Sequence, residues 1–146
     1  DEFLSKNEGT FFILGDGEYK EILNERYGRN KKIVLLDYSK SINEYYEYCD
    51  YCISASSSEG MPNVALESIS CGTPVILSSI DSHNEILRDF PNMTYIFNAN
   101  NINDSVKQIR AILDNPKKHI LNQEEAYTIS HERMTNQYES IYFNLI

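Results

Sequence analysis

The chain has 146 residues, 41% of them hydrophobic, with 22 acidic against 13 basic side chains and a formal net charge of −9. That length suits one domain with its own core, and the acidic balance repels phosphate backbones and anionic headgroups, which argues against nucleic-acid binding. No apolar run approaches the ~18 residues of a membrane span, and the opening Asp1-Glu2-Phe3-Leu4-Ser5-Lys6 lacks the basic and apolar regions of a signal peptide and reads as the tail of a helix.

Short apolar runs alternate with helical patterns along the chain. Phe11-Phe12-Ile13-Leu14 ends in Gly15-Asp16-Gly17, Ile33-Val34-Leu35-Leu36 ends at Asp37, and Tyr51-Cys52-Ile53-Ser54 ends in a serine cluster. Pro74-Val75-Ile76-Leu77 ends in Ser78-Ser79, and Met93-Thr94-Tyr95-Ile96-Phe97 ends at Asn98. Near-continuous apolar runs of this length fit strands buried on both faces of a parallel sheet. Between them, Ser41-Ile42-Asn43-Glu44 and Ser82-His83-Asn84-Glu85 fit capping boxes, and Pro62 suits the first turn of a helix. Ile102, Val106, Ile109 and Leu113 recur on one helical face that Asn115-Pro116 stops. Tyr127, Met134, Tyr138, Ile141 and Leu145 mark a last amphipathic stretch.

The order β-α-β-α-β-α-β-α-β-α-α predicts an α/β fold: one Rossmann-like, doubly wound parallel sheet over residues 1–146. Ligands of such sheets sit at the carboxyl ends of the strands, so the loops at 15–18, 37–41, 54–62 and 78–83 share a rim.

An odd set of cysteines, Cys49, Cys52 and Cys71, argues for a reducing compartment. Cys49 and Cys52 form a C-x-x-C, but a tyrosine-rich helix runs into it where a redox motif would open one, so both read as ordinary half-buried thiols. No D-x-D triplet is present and His83, His119 and His131 are scattered, so no metal is expected. His83, at a helix start, reads either as a phosphate contact or as a surface or capping residue; His119 and His131 read as exposed. The tyrosines, Tyr45, Tyr46, Tyr48 and Tyr138 among them, fall in helical segments and read as packing residues.

The most informative stretch is Ser56-Ser57-Ser58-Glu59-Gly60-Met61-Pro62-Asn63-Val64-Ala65-Leu66-Glu67-Ser68-Ile69-Ser70-Cys71-Gly72-Thr73-Pro74-Val75-Ile76. It runs from a strand exit through a polar loop into a helix starting at Pro62, stops at Gly72 and enters the next strand. The first amides of that helix lack intrahelical acceptors and, with its dipole, form an anion site. Gly60 allows close approach of a ligand. Glu59 lies before the helix at the rim, and Glu67 lies over a turn inside it. A diphosphate on the helix N-terminus leaves its sugar near Glu59, while Glu67 can accept hydrogen bonds from two adjacent ribose hydroxyls. A carboxylate near a diphosphate also suits a sugar developing oxocarbenium character.

This stretch resembles the E-x7-E signature of the group 1 (family 4) glycosyltransferases, retaining enzymes of the GT-B fold: E-G-M-P-N-V-A-L-E-S-I-S-C-G-T-P-V-I stands against a family pattern of E-G-x-P-x-x-x-L-E-A-M-A-C-G-x-P-V-I. Ser78-Ser79-Ile80-Asp81-Ser82-His83-Asn84-Glu85-Ile86 resembles the family's S-x-x-x-x-x-x-E-I loop, and Leu14-Gly15-Asp16-Gly17 its G-x-G. The resemblance implies the C-terminal, donor-binding half of a GT-B fold, beginning after the first strand and helix of that half and without the acceptor-binding domain. It implies Glu59 as the catalytic carboxylate, the backbone amides of Gly60, Met61, Asn63 and Val64 on the donor diphosphate, and Glu67 on the ribose. Gly15, Gly17, Asp37, Ser78 and Ser79 would line the base or donor rim. The family usually has glycine where Asp37 stands, and its diphosphate-neutralising Arg and Lys would precede residue 1.

The implied activity is transfer of a hexosyl unit from a nucleotide diphosphate sugar to an acceptor hydroxyl with retention, in cell-surface polysaccharide or lipopolysaccharide biosynthesis. No cofactor is implied beyond the donor substrate. The acceptor, a carbohydrate or lipid-linked one, would come through the missing domain. That domain would also bring the cytoplasmic protein to the inner face of the cell membrane. Two further readings stay open: a sugar-nucleotide epimerase of the same fold, and a non-catalytic nucleotide-sugar-binding module. A phosphoacceptor receiver domain is disfavoured, because it needs an acidic pair after the first strand and an Asp after the third.

Overall fold

The computed structural model describes residues 9–115; the expectations for Pro116, His119, His131 and the Tyr127 to Leu145 stretch lie outside them. The chain divides into two compact units, Asp1–Ile42 and Asn43–Ile146.

In the first unit, β1 (Phe11–Leu14) pairs in parallel with β2 (Ile33–Leu36), Phe11 opposite Ile33 and Leu14 opposite Leu36. Helix α1 (Lys20–Tyr27) connects them. The ladder runs one residue past β1, because the Gly15 amide donates to the Leu36 carbonyl at 3.1 Å. Gly15 does this at φ +140°, a conformation that side-chain-bearing residues avoid. Of the two strands only Ile33 is buried. Burial on both faces, expected from the apolar runs, does not hold here: a two-stranded sheet leaves each strand an unpaired edge among the described residues.

The second unit carries α2 (Ile42–Tyr48, entered at the last residue of the first unit), β3 (Cys52–Ser54), α3 (Asn63–Ser70) and β4 (Val75–Ser78). It continues with α4 (Asp81–Asp89), β5 (Thr94–Phe97) and α5 (Ile102–Leu113). Strand β4 lies between β3 and β5, parallel to both, with Val75 opposite Cys52 on one side and Thr94 on the other. Among the described strands it alone is buried along its whole length, as a central parallel strand covered on both faces must be. The core gathers around it: Ala65 and Ile69 from α3, Val75 and Leu77 from β4, Ile86 and Phe90 from α4, and Met93.

The α/β class and the parallel pairing are as expected, with a two-stranded parallel sheet in the first unit and a three-stranded one in the second. Alternating apolar runs and helices dictate parallel crossovers; they do not dictate which strand edges hydrogen-bond. The capping boxes also shift. Helix α4 opens at Asp81 after an extended Ile80 (φ −118°, ψ 162°) whose carbonyl takes the Asn84 amide at 2.9 Å, so Ser82 falls inside the first turn. Ahead of α2 it is Ser39, not Ser41, whose hydroxyl is used, accepting the Ser41 amide at 3.1 Å. The side-chain cap that does form is Asn101 on α5, accepting from the amides of Asn103 and Asp104.

Helix α3 ends as its glycine predicts. The Gly72 amide donates to the Ile69 carbonyl at 2.9 Å and the Thr73 amide to the Ser68 carbonyl at 3.0 Å, with Gly72 left-handed at φ +84°. This Schellman closure satisfies the last carbonyls and turns the chain into β4.

Candidate functional site

Helix α3 opens one residue later than the sequence pattern indicates, with Pro62 as its N-cap (φ −81°, ψ 72°) rather than its first residue. The Pro62 carbonyl accepts from the amides of Ala65 at 3.0 Å and Leu66 at 3.2 Å. The Asn63 amide folds back onto the Met61 carbonyl at 2.9 Å. The amides of Gly60, Met61 and Val64 take no partner among the described residues. Met61 and Val64 are exposed beside them, so this mouth is open to solvent and carries the partial positive charge of a helix N-terminus. The loop before it starts at the carboxyl end of β3, where a parallel sheet presents its binding loops.

Glu67 sits over a turn into α3, on the side of α2. The phenol of Tyr46 donates to its Oε2 at 3.2 Å. Tyr46 is buried, and the Thr73 hydroxyl donates to its carbonyl at 2.5 Å. Burial first, then the neighbouring Cys52 and Glu67, pushes the Tyr46 phenol far above its ordinary range, so it keeps its proton and acts as a donor. The carboxylate is thus tied on one oxygen by a neighbouring helix.

Glu59 occupies the loop before the mouth. Its Oε1 accepts from the Ser54 hydroxyl at 3.4 Å, and its Oε2 lies 3.7 Å from Nε2 of His83. His83, read from sequence as a phosphate contact or a surface or capping residue, is wholly buried. It lies in the first turn of α4, where the short helix packs against the sheet, and Nδ1 lies 2.8 Å from the Ser78 carbonyl. Ser78, expected at the rim, is also buried; its hydroxyl donates to the Ser56 carbonyl at 2.5 Å. As the last residue of the central strand, its side chain points into the protein and holds the serine loop in place. Ser79 is exposed, with its amide donating to Phe97 at 2.9 Å.

The three expected residues of the first unit line one cavity of about 400 Å³ with Tyr19, Lys20 and Leu36: Gly15, Gly17 and Asp37. That volume is within the range of small-molecule sites. Lys20 pairs with Asp16 at 2.5 Å and also with Asp37. Its hydrogen bond holds the Asp16 carboxyl below the usual range, and the two carboxylates raise the lysine. All three are exposed, so water screens the cluster.

Tyr46, Ser54 and Lys20 were not legible as site residues. Tyr46 is one of several tyrosines in a helical segment, and only the partner helix distinguishes it. Among the described residues no group of three or more His, Cys, Asp or Glu side chains is arranged to hold a metal ion, and no helix is long and apolar enough to cross a membrane. Cys49, Cys52 and Cys71 are free; burial raises the Cys49 thiol and pushes Cys52 up to about 11, which suits the reading of unreactive thiols.

Comparison with known proteins identifies the family and the fold. A family model described as glycosyl transferases group 1 matches residues 2–115. The uncharacterized glycosyltransferase MJ1178 of Methanocaldococcus jannaschii is 32% identical over 110 residues, 73% of this chain and 31% of its own length. The UDP-Gal:alpha-D-GlcNAc-diphosphoundecaprenol alpha-1,3-galactosyltransferase of Escherichia coli is 31% identical over 86 residues, 56% of this chain and 22% of its own. The chain therefore spans about a third or less of these relatives. Among solved structures, the sucrose-phosphate synthase of Thermosynechococcus elongatus superposes with a TM-score of 0.77 at 19% identity, over 98% of this chain and 40% of that one. Anabaena Alr3699/HepE in complex with UDP superposes at 0.74 and 17% identity, over 99% of this chain and 44% of that one. At such identities the likeness is one of fold.

Proposed function

Since the chain belongs to the group 1 glycosyl transferases, we propose that it is the donor-binding part of a retaining enzyme. That enzyme moves a hexosyl unit from a nucleotide diphosphate sugar to an acceptor hydroxyl. The observation that carries this is the mouth of α3: unpartnered amides at Gly60, Met61 and Val64, with Glu59 before them and Glu67 held by Tyr46 behind them. The amides take the diphosphate oxygens, Glu67 takes the ribose hydroxyls with its second oxygen, and Glu59 faces the transferred sugar. The cavity of Gly15, Gly17 and Asp37 in the first unit is the proposed base or donor rim.

In this mechanism the bond from the anomeric carbon to the β-phosphate oxygen breaks, and the acceptor oxygen bonds to that carbon on the same face. The leaving phosphate takes the acceptor's proton. No enzyme nucleophile is needed, and fixed amide dipoles stabilise the charge that builds on the phosphate, without calling on a metal. One relative and one neighbour in fold support a uridine donor: the Escherichia coli relative is named for UDP-Gal, and the Anabaena neighbour is described in complex with UDP-glucose. The first is also named for a diphosphoundecaprenol-linked acceptor, and a lipid-linked saccharide in surface polysaccharide or lipopolysaccharide assembly, at the cytoplasmic face of the membrane, is the matching proposal here.

The test is mass spectrometry of the naturally encoded protein incubated with UDP-galactose or UDP-glucose and a diphosphoundecaprenol-linked sugar. A product one hexose heavier, with the donor's anomeric configuration by NMR, is expected. Donor binding without transfer would return the chain to the non-catalytic reading, and an inverted product would remove the front-face mechanism.

A further inference from the structure

His83 is buried without being used by the chemistry proposed above, and its two nitrogens are in very different situations. Nδ1 lies 2.8 Å from the Ser78 carbonyl and 3.2 Å from the Ser78 hydroxyl, whose own proton goes to Ser56. A carbonyl only accepts, so Nδ1 carries a hydrogen. Nε2 is buried, has no hydrogen-bond partner among the described residues, and points at Oε2 of Glu59 from 3.7 Å. An orphaned buried ring nitrogen needs an explanation. A bare lone pair facing a carboxylate repels it; one proton on that axis, carried by either group, turns the contact into an attraction. The separation is within ion-pair reach, and a small rotation of the partly exposed loop side chain closes it to a hydrogen bond.

We propose that His83 is a positioning residue for Glu59: Ser78 locks the ring, and Nε2 shares one proton with the Glu59 carboxylate, fixing its orientation beside the mouth of α3. The loop carboxylate is then anchored to the end of the central strand through the imidazole, with Ser54 steadying the other oxygen. This role rests on the sugar-transfer reading of Glu59.

The two amide variants separate orientation from packing. His83→Asn puts an N–H where Nδ1 was, keeping the bond to Ser78 and emptying the Nε2 position; His83→Gln puts its amide at the Nε2 position. In the naturally encoded protein, with UDP-galactose and UDP-glucose as donor probes, His83→Asn is expected to lower kcat about ten-fold with the donor KM little changed. His83→Gln recovers most of that loss, and His83→Asn costs nothing more in a Glu59→Ala background. An unaffected His83→Asn, or a His83→Gln equally impaired, overturns the proposal. The ring is also read directly by 15N NMR of the histidine side chains. The expected state is a protonated Nδ1 and an Nε2 signal displaced from that of a bare lone pair, moving to it in Glu59→Ala. A bare Nε2 signal insensitive to Glu59→Ala overturns the contact. That measurement needs no turnover, so if the wild-type protein transfers no sugar the sugar-transfer reading falls, while the spectrum still decides whether His83 holds Glu59.

Discussion

Tyr46 and Glu67, on different helices, are joined by a hydrogen bond of 3.2 Å from phenol to carboxylate. The bond leaves Oε1 of Glu67 as the oxygen available to a ligand and fixes the direction in which it points. Tyr46→Phe keeps the buried ring and removes only this bond, so donor affinity is expected to fall about three- to ten-fold with kcat nearly unchanged. Glu67→Ala costs more of the same. Titration calorimetry with UDP checks both, and unchanged affinity in Glu67→Ala would remove it from the ribose.

Glu59→Gln keeps the shape of the side chain and removes its charge. With Glu59 at the reaction centre, kcat is expected to fall about a hundred-fold, and UDP affinity to stay nearly constant. Steady-state kinetics beside calorimetry make the comparison, and full activity would dismiss the carboxylate from the chemistry.

Gly72→Ala tests the fold without touching the site. A methyl group at Gly72 meets nothing within 4 Å, but the φ of +84° is strained for alanine. The substitution is expected to destabilise the protein by about 1–2 kcal/mol through backbone strain alone. Urea unfolding measures it, and an unshifted midpoint would mean the turn relaxes out of the left-handed region.

The Cys52 thiol, raised by burial from 9.0 to about 11, links stability to alkaline pH. Its folded value lies above its unfolded one, so its stabilising effect is whole below pH 9 and is lost as pH rises through about 11. The drop across that window is on the order of 1–3 kcal/mol. Urea midpoints at the two ends of the window, in wild type and in Cys52→Ala, check it: the variant is expected to lose less, with the remainder falling to Tyr46, Cys49 and Tyr51, which are also raised.

The sequence was most readable where local chemistry leaves one outcome. The bounds of β1 and β2 follow from apolar runs ended by Gly15 and Asp37, and the end of α3 follows from Gly72. The helix mouth between Glu59 and Glu67 was visible because the spacing itself carries the geometry. What side chains touch across elements was not visible. Ser78 looked like a rim residue by its place after an apolar run, yet the central strand keeps its last side chain inside and gives its hydroxyl to Ser56. His83 looked polar and superficial because it opens a helix, yet the face of α4 that carries it, with Ile86, packs inward. Tyr46 could not be told from Tyr45 or Tyr48 until Glu67 stood opposite.

The knot of bonds around Thr73 gives the two acidic side chains unequal footing. Its hydroxyl fastens α2 and its amide closes α3, both at the doorstep of the fully enclosed strand β4. Glu67 therefore inherits the stiffness of the innermost layer, whereas Glu59 stands on a segment of irregular backbone. On the proposed reading, the nucleoside end of a ligand would meet an acid braced by main-chain bonds, and the sugar end one braced only by the side chains of Ser54 and His83.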